Sequence, residues 1–173
     1  MPNTFELIAS TTIGSGGAAS IDFTSIPSTY TDLVVKFSIR TTRNNSDADN
    51  VSIRFNNDTT ASYDGRILFG TGSSTGSASQ TSDTHIPWGF ASSANNTANT
   101  FGNGEWYIPN YTGSTNKSTS NDSVSENNAT FAQQSLSAGL WKKTDAINRI
   151  TIVSLNWSMV QHSTAYLYGV KNA

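Results

Sequence analysis

The chain has no cysteine, which removes a disulfide framework, a thiolate metal site and a thiol nucleophile together. Histidine is nearly absent too, with only His85 and His162. Charge is scarce: ten basic and twelve acidic residues leave a formal net charge of −2. No basic cluster exceeds Lys142-Lys143, so the phosphate-neutralising patch of a nucleic-acid binder is missing. No apolar run reaches the roughly 18 residues of a transmembrane helix, so no membrane partner is expected. The opening Met1-Pro2-Asn3-Thr4-Phe5 lacks the basic and apolar regions of a secretory signal. Without a signal, triplets such as Asn57-Asp58-Thr59 and Asn110-Tyr111-Thr112 read as products of composition, not as glycosylation sites. Nothing in the pattern calls for a cofactor.

What is present is polar and small. Serine, threonine, asparagine and glycine supply 80 of the 173 residues. Low net charge keeps such a chain from being held open by self-repulsion. Its apolar residues fall into strand-length alternating runs. Leu33, Val35, Phe37 and Ile39 alternate with Val34, Lys36, Ser38 and Arg40, and Val51, Ile53 and Phe55 with Ser52, Arg54 and Asn56. Period two places each set on one face of a strand, so these seven apolar residues are expected to line a core. Further strands are expected over 5–13, with Phe5, Leu7, Ala9 and Ile13 on one face, and over 19–24, 63–69 with Gly65 as a bulge, 86–90, 105–108, 131–141, 147–155 and 164–170. Residues 44–50 and 91–100 read as polar loops. Residues 71–84 read as an exposed loop or weak edge strand, and Ser118, Ser120 and Ser125 as riders on another edge. No segment shows a period near 3.6. The expectation is one all-β domain spanning 1–173, a two-sheet antiparallel sandwich of jelly-roll type with eight to ten strands and an outer face of hydroxyls and amides.

Both ends of the chain carry a further pattern. It consists of Phe5-Glu6-Leu7-Ile8-Ala9-Ser10, the stretch from Ile13-Gly14-Ser15-Gly16-Gly17 to Phe23, and Ile26-Pro27-Ser28-Thr29-Tyr30-Thr31-Asp32-Leu33. At the close stand Ile147-Asn148-Arg149-Ile150-Thr151-Ile152 and Ser163-Thr164-Ala165-Tyr166-Leu167-Tyr168-Gly169-Val170-Lys171. These segments resemble a group of small proteins of tailed bacteriophages, and the closing ones also the tips of some phage tail fibres. The middle of the chain has no such likeness. The resemblance implies a virion β-sandwich and brings no catalytic residues with it.

Catalytic constellations are weak. Asp83-Thr84-His85 allows a Ser-His-Asp drawing, but no Gly-x-Ser-x-Gly elbow supports it, and a serine-rich chain always permits one. Glu105 beside Trp106 and Tyr107 is the one arrangement favourable to glycoside cleavage, yet alternation turns Glu105 and Trp106 to opposite faces. No catalytic residue is assigned. The Asx-rich stretch 44–50, with Asp47 and Asp49, is a calcium candidate that lacks the glycine and closing glutamate of an EF-hand. Trp88, Trp106, Trp141 and Trp157, with Tyr63, Tyr107 and Tyr111, are the only candidate platforms for sugar stacking. Trp106 and Trp141 read as core, whereas Trp88 and Tyr111, beside polar loops, are the surface candidates for ligand binding. The function expected is a non-enzymatic structural protein on the phage particle surface, either a capsid decoration or a head or tail appendage. Its partners would be other virion proteins and its own copies, as a homo-trimer. The alternative is a carbohydrate-binding tail-fibre tip that recognises a host surface glycan, and a glycan-degrading enzyme stands third.

Overall fold

A computed structural model describes residues 4–171 and shows strands but no helix. The reading of Met1 to Asn3 as lacking a signal lies outside the described residues. Twelve strands follow one another: β1 (Phe5–Thr12), β2 (Ser20–Phe23), β3 (Asp32–Ile39), β4 (Ala48–Phe55), β5 (Tyr63–Thr71), β6 (Thr75–Asp83), β7 (Ile86–Ser92), β8 (Gly102–Ile108), β9 (Lys117–Glu126), β10 (Ala132–Trp141), β11 (Ile150–Ser154) and β12 (Thr164–Val170). They form two antiparallel sheets: a large one in the order β1-β12-β3-β8-β9-β10-β5-β6 and a small one in the order β2-β11-β4-β7. The all-β, two-sheet antiparallel architecture is therefore as the alternation predicts, with more strands than the eight to ten expected.

The core follows from parity. Leu33, Val35, Phe37, Ile39, Val51, Ile53 and Phe55 are all buried in one cluster, as the period-two pattern requires. Phe37 lies 4.8 Å from Trp106, and Phe55, Tyr63 and Trp141 form a second aromatic group at 5.6–6.4 Å. Offset and edge contacts of this kind add about 0.5–1.5 kcal/mol each beyond burial. The Tyr63 hydroxyl accepts from Phe55 N at 3.0 Å, so this phenol is buried with its polar end satisfied.

The polar strands are where sequence and structure part. β9 is not an edge strand: it pairs with β8 on one side and β10 on the other. Its residues alternate strictly, with Ser118 and Ser120 outward and Thr119, Asn121, Ser123 and Ser125 buried. The hydroxyls and amides are thus not confined to the outer face. Asn121 and Ser123, with Ser135 and Ser137 of β10, form a hydrogen-bonded layer inside the sandwich, while the buried hydroxyls of Thr119 and Ser125 make no hydrogen bond among the described residues. Asn121 Nδ2 donates to Glu105 O at 2.9 Å, Ser123 and Ser135 hydroxyls meet at 2.8 Å, and Phe90 N donates to Ser123 Oγ at 3.0 Å. Small side chains also let the sheets approach: a Cβ on Gly139 would come within 2.4 Å of Ile86 Cγ2.

Other expectations shift by local geometry. Residues 48–50 belong to β4, because Ala48 to Asn50 pair with Ser92 to Phe90, so the polar loop is shorter than 44–50. In β1 a bulge after Leu7 breaks the expected face, and Phe5 and Leu7 are exposed while Ile13 is buried. Val34, on the outward face of β3, is nonetheless buried, in register between Tyr107 and Tyr168. Arg40, expected outward, is buried: its guanidinium donates to the carbonyls of Asn96, Thr97 and Thr100 at 2.9–3.1 Å and shapes the loop after β7. The bulge expected at Gly65 lies instead in β6: between the pairs Tyr63–Asp83 and Gly65–Gln80 one residue intervenes in β5 and two in β6, and β5 keeps unbroken register with β10.

Phe37→Ala should cost about 3–5 kcal/mol, through lost transfer energy and a cavity, whereas Ser38→Ala should stay within about 0.5 kcal/mol of wild type; denaturant midpoints of the two variants measure the difference. A second expectation concerns Asp58, at the turn after β4. Its carboxylate accepts from Thr60 N at 2.9 Å, from the hydroxyls of Thr60 and Ser62 at 2.5 Å, and from Trp141 Nε1 at 2.7 Å. Burial pushes this carboxyl up, but the donors from Ser62, Thr60 and Trp141 outweigh burial and hold it well below the usual carboxylate range. A depressed folded pKa stabilises the native state above the unfolded value, about 3.9, and the contribution is lost as pH falls through the folded value. Asp58→Asn should therefore lower the melting temperature most near pH 7, with the gap to wild type closing below about pH 4; melting curves across pH test it.

Candidate functional surfaces

Tyr111, expected as a surface aromatic, is fully buried, because it packs into the main core against the β2–β3 connection. Its hydroxyl donates to the Pro27 carbonyl and accepts from Tyr30 N at 3.4 Å, and the ring joins the main core cluster. No face of it is left for a ligand. Trp88 is half-buried, with φ of 74°, and packs against a small cluster of Ala48, Ile67 and Phe90. Its ring lies over Gly65, where a Cβ would come within 2.9 Å of Trp88 Cζ3. This glycine is thus what admits the indole. Trp106 and Trp141 are core residues, as expected.

The two aspartates of the calcium candidate are held by donors. Asp49 is buried and accepts from Arg43 Nη1 at 3.4 Å and from Ser154 Oγ at 3.3 Å. Asp47 Oδ1 accepts from Asn95 Nδ2 at 2.8 Å. Among the described residues, no group of three or more histidine or acidic side chains gathers where a metal ion would sit.

His85 is buried, with Nδ1 3.0 Å from Asp83 Oδ1 and 3.2 Å from Thr84 Oγ1. Burial, outweighing the Asp83 carboxylate, holds the imidazole below its ordinary pKa. A catalytic relay needs the carboxylate on one ring nitrogen and the nucleophile on the other. Here both partners sit on the same nitrogen. Glu105 faces outward and forms a surface ion pair with Lys36 Nζ at 2.8 Å, with Asp122 in register across β8 and β9.

Two surfaces stand out instead. The first is the outer face of the large sheet at its two edges. Leu68 of β5 and Leu136 of β10 stand directly opposite each other and are 63% and 58% exposed. Shallow troughs flank them, one reaching Arg66 and Ala138, the other Thr75 and Gln134. Beside them runs β6, paired only with β5 and without lysine, arginine or proline. At the opposite edge, Phe5 and Leu7 of β1 are both 53% exposed, and register places them on the same outer face. The second surface is a cleft at one end of the sandwich, where Arg43, Asn45, Asp49 and Asn50 meet Asn156 and Trp157. Composition hides both: single leucines in polar strands give no run, and the cleft joins segments more than a hundred residues apart.

No family model and no curated protein matches this chain. Functional assignment therefore falls to the geometry.

Because donors already occupy both carboxylates, adding calcium should leave the melting temperature unchanged relative to chelator. A bound ion at 100 times its Kd would add about 2.7 kcal/mol, so differential scanning fluorimetry reads the result directly.

Proposed function

We propose that the chain is a non-enzymatic structural protein of a bacteriophage particle surface, a capsid decoration or a head or tail appendage, working as a homo-trimer docked on other virion proteins. The observation that carries this reading is the pair of open sheet edges, each with an exposed apolar patch. An unpaired edge presents free backbone N–H and C=O groups, and the lysine and proline that commonly guard it are lacking on β6. Scattered exposed leucines are ordinary. Two facing leucines on the strands next to the β6 edge, matched by a phenylalanine and a leucine on the β1 edge, form two different patches on one molecule. Contact between unlike patches is heterologous, and such contacts close into a ring where the rotation between copies closes, as the proposed trimer requires. A second copy of this chain is therefore the occupant that fits each edge. The expected edge at 114–125 contributes nothing to this argument, since β9 is internal; β6 and β1 carry it.

The jelly-roll description belongs with this proposal. Between β2 and β12 the chain passes repeatedly from one sheet to the other, and the small sheet runs β2-β11-β4-β7. This supports a jelly-roll connectivity extended by the β5–β6 and β9–β10 hairpins on the large sheet.

Light scattering at micromolar concentration should give three times the 18.5 kDa chain mass. Leu68→Asp with Leu136→Asp, or Leu7→Asp with Phe5→Asp, should each yield a folded monomer with an unchanged far-UV circular dichroism spectrum. Mixing the two double variants should restore one intact interface and give a heterodimer. A monomeric wild-type protein would overturn the assembly. Locating the chain in an electron-microscopy map of the particle tests the virion role.

A further inference from the structure

We propose that the end cleft formed by the β3–β4 connection, the start of β4 and the β11–β12 connection binds a neutral pyranose sugar. The cleft measures about 350 Å³ and is lined by Arg43, Asn45, Asp49, Asn50, Asn156 and Trp157, with Leu155 at its rim. That is the small end of the range for ligand sites, with room for a single sugar ring.

Its floor is built rather than incidental. Asp49 is only 5% exposed and is tied to Arg43, to Ser154 and, through Oδ1, to Asn50 N at 3.0 Å. Arg43 Nε in turn donates to Asn45 Oδ1 at 3.0 Å, which pins the loop amide against the same guanidinium. The one cation and the one anion neutralise each other, so the cleft has no net charge with which to select an ionic ligand. Its remaining polarity lies in groups that both give and accept. The Asn50 and Asn156 side chains and the Trp157 indole N–H make no hydrogen bond among the described residues. Each primary amide offers two donors and an acceptor, the complement of a vicinal diol. Trp157 is half-buried and Leu155 is 45% exposed, which supplies an apolar wall beside the amides. A pyranose has this same division, with a C–H face for an aromatic surface and a hydroxyl edge for amides. A phosphate or carboxylate ligand would meet the Asp49 carboxylate, and a purely apolar ligand would strand the amides.

The inference uses none of the residues of the assembly edges, so either reading survives failure of the other. Saturation-transfer NMR on the full chain, with the methyl glycosides of glucose, galactose, mannose, rhamnose and N-acetylglucosamine as probes, tests it. The expected result is transfer to the ring C–H protons of at least one glycoside, with Kd on the order of 1 mM. Trp157→Ala should weaken that binding by about tenfold or more, and Trp157→Phe should restore part of it. Asn50→Ala with Asn156→Ala, both at exposed positions, should also abolish transfer and serves if Trp157→Ala does not fold. Absence of transfer from wild type for every probe, or equal transfer from wild type and the folded variants, would overturn the proposal.

Discussion

The sandwich depends on a layer of hydroxyls and amides buried between its sheets, most of which find partners inside the protein. A buried hydrogen bond contributes only about 0.5–1.5 kcal/mol net, while an orphaned group costs about 1–3 kcal/mol. Strands β9 and β10 satisfy these groups at Asn121, Ser123, Ser135 and Ser137, whereas the hydroxyls of Thr119 and Ser125 are buried without a hydrogen bond among the described residues. Asn121 bridges to the backbone of β8 and accepts from Ser137, and Ser123 joins Ser135 and Phe90. Because these side chains are small, β7 lies close to the large sheet, and Gly139 makes way for Ile86. The aromatic groups around Trp106 and Trp141 complete the core on either side of this layer.

The same accounting governs the ends of the sandwich, where single charges organise loops by caging backbone groups. Arg40 gathers carbonyls of the loop after β7. Lys117 is buried, and its ammonium donates to the carbonyls of Gly113, Thr115 and Thr144, joining the connections on either side of β9 and β10. Burial pulls this lysine below its ordinary pKa, and the carbonyls supply the acceptors that water would otherwise provide. Asp58 does the converse, with hydroxyl, indole and backbone donors around a carboxylate. A chain with so few charges uses several of them as internal fasteners.

What remains on the surface is a nearly neutral exterior with few distinctive places. Ion pairs such as Lys36–Glu105 and Lys171–Glu6 are exposed, and contribute little to stability. Against this background the apolar edge patches and the end cleft are the features with unspent binding capacity. One suits association of like chains and the other suits a small neutral ligand. The two proposed roles are compatible on one molecule because the surfaces lie on different parts of it.

Period-two alternation determined the fold class, the seven core residues of β3 and β4 and the core roles of Trp106 and Trp141. Each of these is local, set by which face of a strand a residue occupies. Serine and threonine carry no such signal, because a hydroxyl is equally at home in water or hydrogen-bonded inside. Only strand pairing decided that Ser123 and Ser125 are buried and that β9 is central. Tyr111 and Trp157 illustrate the same limit: each is an aromatic beside polar residues, yet one is sealed in the core and the other borders a cleft. Which of the two happens depends on which distant segment folds over the ring. That is a property of tertiary contacts, and the identity of neighbouring residues along the chain does not encode it.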